Sequence, residues 1–244
     1  MKPTLDLPFD LPSELAKDAE IIQRDNELII TKWNWEFSDC EAFQELCRDF
    51  VEKNKNYKIY IFTNHPHVFT LGRGNERGRD DLVDFDESIT NQLPFPVHKI
   101  HRGGGITFHY PGQWIAYPII AVNKSYTLDD HMCWLLKNVR EVLTTDFQIE
   151  NVITAQKLMG VWKDKKKLAS IGVGLKKFVT LHGLALNLEY DQKMFDALSM
   201  INPCGMSSET YICADEFVKE ENLITKFHKV FIDKLLNNKL IQAC

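Results

Sequence analysis

Long apolar runs are missing from this chain of 244 residues. No stretch approaches the roughly 20 consecutive apolar residues that a membrane-spanning helix needs. The N-terminal segment carries acidic residues and prolines where a secretory signal peptide has an apolar core. We therefore expect a cytoplasmic protein that has no membrane partner.

Paired cysteine motifs are missing as well. The 6 cysteines lie far apart, and none forms a C-x-x-C pair, which argues against a disulfide framework and against a thiolate zinc site. His98 and His101 fall on opposite faces of a strand, and His65 and His67 share a face but have no evident carboxylate or thiol partner. We expect neither a metal nor another cofactor.

Excess positive charge is also absent. The formal net charge is -5 and the pI is about 5.9, so the whole chain has no electrostatic reason to bind nucleic acid. A hydrophobic content of 44% and an aromatic content of 11% support a well-packed core. Neither an internal repeat nor a low-complexity linker is visible, which predicts an N-terminal arm over residues 1–24 and a single catalytic domain over residues 25–244.

Short β-like segments occupy the middle of the chain, and helical patterns lie outside them. The most regular helical pattern follows Thr127, which is placed to cap it. A second pattern follows Ser38, which is also placed to cap it, and a third reaches the C-terminal region and includes Phe217 and Leu223. Clustered strands with outlying helices predict an α+β fold that has a mixed or antiparallel sheet and flanking helices.

Glycine is concentrated in the segment His101–Gln113, which reads HRGGGITFHYPGQ. The segment lacks the G-x-x-x-x-G-K-[ST] pattern of a phosphate loop and the G-x-G-x-x-G spacing of a dinucleotide site. Three adjacent glycines allow positive φ and let a ligand or another strand approach the backbone closely. With Arg102, Thr107, His109 and Gln113 beside them, these glycines predict a ligand-facing loop.

Two residues are candidates for covalent chemistry. Cys204 lies between a proline and a glycine that could expose its thiol to a pocket, although an arbitrary cysteine is more often a small buried hydrophobe. A nucleophilic cysteine needs a base or nearby positive charge. Lys167 is one candidate base, because the positive charges of the two preceding lysines should lower the pKa of its amine and the apolar strand that it begins could desolvate it. The competing interpretation is that the KDKKK segment forms a solvated hairpin tip. His109 and His182 are rival bases.

Several motifs resemble those of the lipoyl(octanoyl) transferase family. Residues 102–113 are similar to its R-G-G-x-x-T-[YF]-H-G-P-G-Q signature, and residues 160–172 to its G-V-[YW]…K-[IL]-[AC]-[AS]-[IL]-G segment. Residues 182–187 resemble its H-G-L-A-L-N motif, and residues 201–205 its I-x-P-C-G motif. One departure is Tyr110, which stands where the family usually has glycine and could close part of a pocket.

This resemblance implies the α+β fold of biotin and lipoate protein ligases. It implies transfer of an octanoyl group, or of a lipoyl group, from acyl carrier protein to a specific lysine of lipoyl domains, in protein lipoylation and lipoate biosynthesis. Cys204 would form an acyl-thioester intermediate, and Lys167 would transfer protons beside it. The substrate-binding residues that the motifs imply are Arg102, Gly103, Gly104, Gly105, Thr107, His109, Gln113, Ser170, Ile171, Gly172, His182, Gly183, Leu184 and Ala185.

The partners implied by the resemblance are octanoyl-acyl carrier protein, the lipoyl domains of 2-oxoacid dehydrogenases and the H protein of glycine cleavage. We expect the chain to act as a monomer. Because the protein partners are small acidic domains, we also expect a docking patch of lysines near Lys167. These lysines occupy positions 163, 165, 166, 176 and 177.

Two other functions stay open. A ligase of the same fold would activate free lipoate or biotin with ATP and release AMP. A degenerate relative would bind lipoyl domains without modifying them, but the presence of both Lys167 and Cys204 speaks against that alternative. An acyl-cysteine adduct formed without ATP would separate the transferase from both.

Overall fold

The computed structural model describes residues 18–74, 87–155, 160–201 and 206–241. Its strands are β1 (Glu20–Arg24), β2 (Glu27–Lys32), β3 (Lys58–Thr63), β4 (Val68–Leu71), β5 (Val97–Lys99), β6 (Ile106–His109), β7 (Gln113–Ile120), β8 (Val152–Ala155), β9 (Gly160–Lys163), β10 (Lys166–Lys176) and β11 (Val179–Asn187). Its α-helices are α1 (Phe37–Lys53), α2 (Leu128–Thr145), α3 (Gln192–Ser199) and α4 (Leu223–Leu236). Short 3-10 helices cover Glu87–Gln92, Ser208–Thr210 and Ala214–Glu216.

The described strands form two mixed sheets. The main sheet has eight strands in the order β1-β2-β3-β7-β11-β10-β9-β8, and the second has three in the order β5-β4-β6. In the main sheet β2 and β3 are parallel, while β7, β11, β10 and β9 run antiparallel to their neighbours. The predicted α+β fold with a mixed sheet is confirmed.

Alternating side chains divide the main sheet into two faces. Leu184 and Leu186 of β11 pack in the apolar cluster that contains α2 and α4. Ala185 and Leu181 point the other way, into the cluster that contains α1. The second sheet shares a third cluster with α3, and its glycine-rich loop contacts the α1 face of β10 through Gly172. The glycine-rich loop therefore lies on the α1 face of the main sheet.

Helix ends follow local capping chemistry. Thr127 caps α2 as predicted: its side chain accepts from the Asp130 N–H, and the Asp130 carboxylate accepts from the Thr127 N–H. The predicted cap at Ser38 is wrong, because α1 already begins at the buried Phe37 and has no side-chain cap. Phe217 lies outside α4, because Asn222 has φ 55, and a left-handed residue interrupts a right-handed helix.

Part of the predicted N-terminal arm belongs to the sheet. Residues 20–24 form the edge strand β1, in which Ile21 pairs with Ile30 of β2. Residues 1–17 of the arm lie outside the described residues. Strand β1 ends at a tight turn in which Asp25 has φ 48, so a hairpin ties it to β2.

The described cysteines are mostly buried free thiols. Cys40, Cys47 and Cys213 are buried free thiols, whereas Cys133 on α2 is disulfide-bonded. Within the described ranges there is no cluster of three or more His, Cys, Asp or Glu side chains that could hold a metal ion. None of the helices described here has the length and apolarity needed to cross a membrane.

Candidate functional site

Lys167 lies inside strand β10 and not in the turn that precedes it. The turn is made by Asp164 and Lys165, whose φ angles are 47 and 68. Lys167 pairs with Trp162 of β9 and is only 2% exposed. Its Nζ lies 5.5 Å from the centre of the Trp162 ring, within cation–π distance. The alternative of a solvated hairpin tip is wrong.

A β-bulge decides which way Lys167 points. The pairing of β10 with β9 shifts register between Lys167 and Ala169, and a bulge breaks the alternation of side chains along a strand. Leu168, Ala169 and Ile171 all pack in the cluster beneath α2 and α4. The bulge therefore leaves Lys167 on the α1 face, together with Ser170.

Gly160 makes room for the Lys167 side chain. A Cβ on Gly160 would lie 2.8 Å from Lys167 Cε and 2.3 Å from the carbonyl oxygen of Ala169. The Lys167 carbonyl accepts a hydrogen bond from the Ile212 N–H at 3.2 Å, and Tyr211 forms a parallel bridge with Lys167. Lys167 is thus fixed by β9 on one side and by the chain around Tyr211 on the other.

A buried chain of hydrogen bonds joins several predicted site residues. The Arg102 Nη2 group donates to Thr70 O at 2.8 Å and to Thr70 Oγ1 at 2.9 Å. Thr70 Oγ1 lies 3.2 Å from His109 Nε2, and His109 Nδ1 lies 2.9 Å from Gln113 Oε1. The Gln113 amide then donates to Asn187 Oδ1 at 3.0 Å. The chain links β4, the glycine loop, β6, β7 and β11.

The direction of these bonds fixes the state of His109. Because the Gln113 Nε2 group donates to Asn187 and to the Phe108 carbonyl, Gln113 Oε1 is the acceptor for His109 Nδ1–H. His109 Nε2 must then accept from the Thr70 hydroxyl. Burial, followed by nearby His65, holds the pKa of His109 well below its usual value. Both ring nitrogens are occupied, so His109 positions its neighbours and is poorly placed to act as a base.

His182 holds a different position on β11. Its φ is 58, and its backbone N–H donates to Gln44 Oε1 of α1 at 2.8 Å. Burial, followed by the charge of Arg102, lowers the pKa of His182 to about 3. Its Nδ1 is buried and lacks a hydrogen-bond partner among the described residues. The ring is therefore neutral near pH 7 and lies under the glycine loop.

The glycine run brings three backbone segments together. The Gly72 N–H donates to Gly105 O at 3.0 Å, and the Gly103 N–H donates to Val173 O at 3.1 Å. A Cβ on Gly72 would lie 2.3 Å from Gly104 O, and Gly104 itself has φ 79. The end of β4, the glycine loop and β10 can approach this closely only without side chains. The glycines thus allow backbone segments to pack closely against each other. This is one of the two roles that the sequence allows for them, the other being the close approach of a ligand.

A small pocket on the α1 face collects three predicted binding residues. Thr107, Gln113 and Ser170 line it together with Asn187. Its remaining walls are the side chains of Ile106, Phe108, Met194, Leu198 and Tyr211. The cavity volume is about 20 Å³, which is room for about one water molecule. A medium-length acyl chain would need the pocket to widen.

Other predicted binding residues lie away from this pocket. Ile171 and Leu184 are packed in the core beneath α2 and α4. Ala185 belongs to the α1 cluster, and Gly183 lets β11 approach β7, since its Cβ would lie 2.1 Å from Ala116 O. These residues shape the sheet that carries the site.

The predicted nucleophile Cys204 lies in residues 202–205, outside the described residues. The described residues on either side are Ile201 and Met206. Both pack in the third cluster, which also contains Tyr211. Tyr211 is the residue that bridges to Lys167, so the described neighbours of Cys204 and the strand of Lys167 meet at one cluster.

Three residues of the site were missed from the sequence. Asn187 accepts from Gln113, Thr70 accepts from Arg102 and Tyr211 lines the pocket. Asn187 had a signal, because it is the polar residue that ends an apolar strand in the matched H-G-L-A-L-N motif. Thr70 had a signal too, because residues 69–72 are similar to the family's [VF]-[FY]-T-x-G motif, whereas Tyr211 lies in a segment with no such pattern.

Tyr110 does not occupy the small pocket. It is fully buried among Met194, Leu198 and the rest of the third cluster. Its hydroxyl lies 3.4 Å from Cys213 Sγ, and burial raises the pKa of the phenol well above its usual value. Its φ is not positive, so the ring is accommodated without a strained backbone.

Solved structures define the fold class. The chain matches lipoate-protein ligase A bound with ATP with a TM-score of 0.61, at 13% identity, over 88% of this chain and 86% of that one. It matches Plasmodium falciparum LipL1 in complex with lipoate with a TM-score of 0.59, at 14% identity, over 85% and 63% of the two chains. The predicted lipoate-ligase fold is confirmed.

Sequence comparisons identify the family. The profile of the lipoyl protein ligase A/B catalytic domain matches residues 38–235. An octanoyltransferase of Nostoc sp. is 32% identical over 187 residues, which cover 75% of this chain and 79% of that protein. The chloroplastic octanoyltransferase LIP2p2 of Arabidopsis thaliana is 35% identical over 178 residues, 71% of this chain but 58% of that protein. The chain belongs to the lipoyl protein ligase A/B catalytic domain family, among relatives that are octanoyltransferases, which confirms the predicted acyltransferase class.

Proposed function

We propose that this protein transfers an octanoyl group from acyl carrier protein to a lysine of lipoyl domains through an acyl thioester on Cys204. The observation that carries the proposal is the placement of Lys167. It is a buried lysine, turned by a bulge onto the face where Thr107, Gln113 and Ser170 meet. The names of the relatives support acyl transfer, and buried ionisable groups cluster at functional sites.

The first half-reaction loads the enzyme. The Cys204 thiol gives its proton to neutral Lys167 Nζ, and the thiolate attacks the thioester carbonyl. A C–S bond to Cys204 forms, the C–S bond to the carrier breaks, and the carrier thiolate takes the proton from Lys167. One thioester replaces another, so this exchange is close to balanced.

The second half-reaction forms the amide. The neutral amine of the acceptor lysine attacks the acyl-cysteine carbonyl, forming a C–N bond while the C–S bond to Cys204 breaks. The amine proton passes to Lys167 and from there to the departing Cys204 thiolate. Backbone N–H groups of Gly104 and Gly105 are our candidates for stabilising the oxyanion in both steps.

The acyl chain would enter the pocket lined by Thr107 and Ser170. Because this pocket holds about 20 Å³, loading requires its walls to move. Met194 and Leu198 on α3 are the walls that can yield, since methionine is unbranched and adapts to irregular spaces. Helix α3 is only 8 residues long and ends just before the segment that carries Cys204.

Fewer lysines are available to attract an acidic partner than the sequence analysis predicts, because three of the five are ion-paired within the chain. Lys163 is ion-paired with Asp164. Lys176 is paired with Glu45 at 3.0 Å, and Lys177 with Glu52 at 3.1 Å. We therefore assign the attraction of an acidic carrier domain to positions 165 and 166. The cytoplasmic location, the monomeric state and the two-part division at residue 24 stay predictions.

The acyl intermediate is tested by intact-protein mass spectrometry without ATP. Wild-type protein incubated with octanoyl-acyl carrier protein should gain one octanoyl adduct that hydroxylamine removes and that a lipoyl domain accepts. Cys204→Ser should gain no such adduct. Cys213→Ala is the matched control, since it removes another free thiol, and it should be labelled like the wild type. Transfer that needs ATP and releases AMP would instead identify a ligase.

The role of Lys167 is tested by comparing it with another lysine of strand β10. Lys167→Met should lower the rate of adduct formation by at least about 100-fold, within the range for general acid–base groups. Lys176→Met removes an exposed lysine of the same strand that is already paired with Glu45, and it should keep the rate within about threefold. Equal rates in the two variants would contradict the assignment of Lys167 to proton transfer.

A further inference from the structure

A second cavity lies at the far end of the main sheet. It is bounded by the start of β3 at Lys58, the end of β7 at Ile120 and the start of the chain segment at Asn123. Strand β7 has 8 residues and rises about 3.3 Å per residue, so this end is roughly 23 Å from Gln113. Tyr60, Ile120 and the α2 residue Trp134 belong to the cluster beneath α2 and α4. The cavity therefore lies at the opposite end of β7 from the candidate active site and on the opposite face of the main sheet.

This cavity is large enough for a small organic molecule. Its volume is about 380 Å³, inside the range of about 300–1,000 Å³ for ligand pockets. Tyr60, Trp134, Ile120 and Leu235 supply apolar walls, and all four are buried. The Tyr60 and Trp134 rings lie 6.0 Å apart with a tilt of 39°. The two rings contact each other, so they offer a flat or short apolar body one continuous aromatic wall.

Two wall residues, Tyr60 and Trp134, each carry a hydrogen-bond donor on an otherwise apolar ring. Tyr60 is 3% exposed and Trp134 is 8% exposed. Neither the Tyr60 hydroxyl nor the Trp134 indole N–H forms a hydrogen bond to any part of the chain that the structure describes. A tyrosine hydroxyl and an indole N–H can both donate, so they fit an acceptor on a bound molecule.

The rim of the cavity carries net positive charge. Lys58 is paired with Glu27 at 3.1 Å. Lys55 is exposed, lines the same cavity and has no carboxylate within ion-pair distance among the described residues. Asn56 and Asn123 add amide donors at the rim. Excess donors together with one uncompensated lysine favour an anionic ligand that is rich in acceptors.

We propose that this cavity binds a small amphipathic monocarboxylate. Its apolar body lies against Tyr60, Trp134 and Leu235, and its carboxylate faces Lys55 and accepts from the unused donors. The site does not depend on the proposed acyl transfer, because it shares no residue with the pocket around Thr107 and Ser170. An aryl carboxylate such as 3-phenylpropionate matches the apolar walls and the charged rim.

The test is a titration of the full chain, labelled with ¹⁵N, with 3-phenylpropionate while the indole N–H signals are followed. The Trp134 signal, assigned by its loss in Trp134→Phe, should shift and saturate with a dissociation constant of about 1 mM or tighter. Trp162 contacts Lys167 and reports on the candidate active site, so its signal should stay in place. The neutral analogue 3-phenylpropionamide should bind about fivefold more weakly or not at all.

Charge reversal at the rim supplies a variant that should fold normally. Lys55→Glu should weaken binding by about fivefold, whereas Lys53→Glu, an exposed lysine in the last turn of α1 that does not line the cavity, should change it less than twofold. An unmoved Trp134 signal overturns the proposal, and so does a shift of Trp162 alone. Equal binding of acid and amide, or of Lys55→Glu and Lys53→Glu, would refute recognition of the carboxylate.

Discussion

Replacing Gly160 by alanine should damage catalysis more than stability. The added Cβ would lie 2.3 Å from Ala169 O and 2.8 Å from Lys167 Cε, whereas ordinary contacts begin at 3.4 Å. Strands β9 and β10 must therefore part by about 1 Å at the bulge that aims Lys167. Overpacking of this kind costs about 1–3 kcal/mol. A misplacement of about 1 Å at a reacting group lowers kcat by about 100-fold.

Gly112→Ala is the matched control for this prediction. Its Cβ would lie 2.4 Å from Glu189 O, a clash of similar size with a backbone carbonyl at the β6–β7 turn. Urea denaturation should give both variants a comparable loss of unfolding free energy. The octanoyl transfer assay, run on protein shown to be folded by circular dichroism, should find a kcat loss for Gly160→Ala that is at least about tenfold greater. Equal kcat values in the two variants would refute the argument that the glycine positions Lys167.

Three other substitutions test separate parts of the structure. Gln113→Leu removes the partner of His109 and of Asn187, so it should lower the free energy of unfolding in urea by about 3 kcal/mol; a loss below about 0.5 kcal/mol would mean that the buried chain is not stabilising. Thr127→Ala should cost about 1 kcal/mol through the lost cap and leave transfer activity unchanged. The pKa of His182 is about 3 in the folded chain and about 6.5 in the unfolded chain. As the pH falls, the unfolded chain therefore binds a proton at His182 before the folded chain does. The contribution of the neutral ring to stability is complete above pH 6.5 and declines between pH 6.5 and pH 3. Between pH 7 and pH 5 the wild type should therefore lose about 2 kcal/mol more than His182→Gln, and equal losses would contradict the assignment.

Most strands and helices were predictable because the apolar spacing and the capping residues that mark them are close together in the sequence. Alternating or continuous apolar runs marked most strands, and the capping chemistry of Thr127 and Asp130 marked the start of α2. The edge strands β1 and β8 were missed. Strand β1 has polar residues at both ends, and Ile153 of β8 is 58% exposed, so neither presents the apolar run that marks a central strand.

Lys167 shows where sequence patterns stop being informative. The motif match places it in a candidate functional segment, but the KDKKK context is that of an exposed hairpin tip. The turn is in fact completed by Asp164 and Lys165 with positive φ, and the bulge after Lys167 is specified by β9 and by contact with Tyr211. Such register shifts depend on residues that are distant in sequence, so spacing along one strand cannot reveal them.

The hydrogen-bonded chain gives the polar residues of the glycine segment a structural role besides the substrate binding that was predicted for them. Arg102 and His109 use their donors and acceptors on Thr70 and Gln113, which couples the second sheet to the main sheet. Gln113 and Asn187 are directly opposite each other in β7 and β11, and Asn187 reaches the Ile212 carbonyl at 3.4 Å. Because the Ile212 N–H in turn donates to the Lys167 carbonyl, we expect a change at the glycine loop to affect the position of Lys167 through these buried polar contacts. Substitutions along this chain should therefore alter kcat even where the residue touches no substrate.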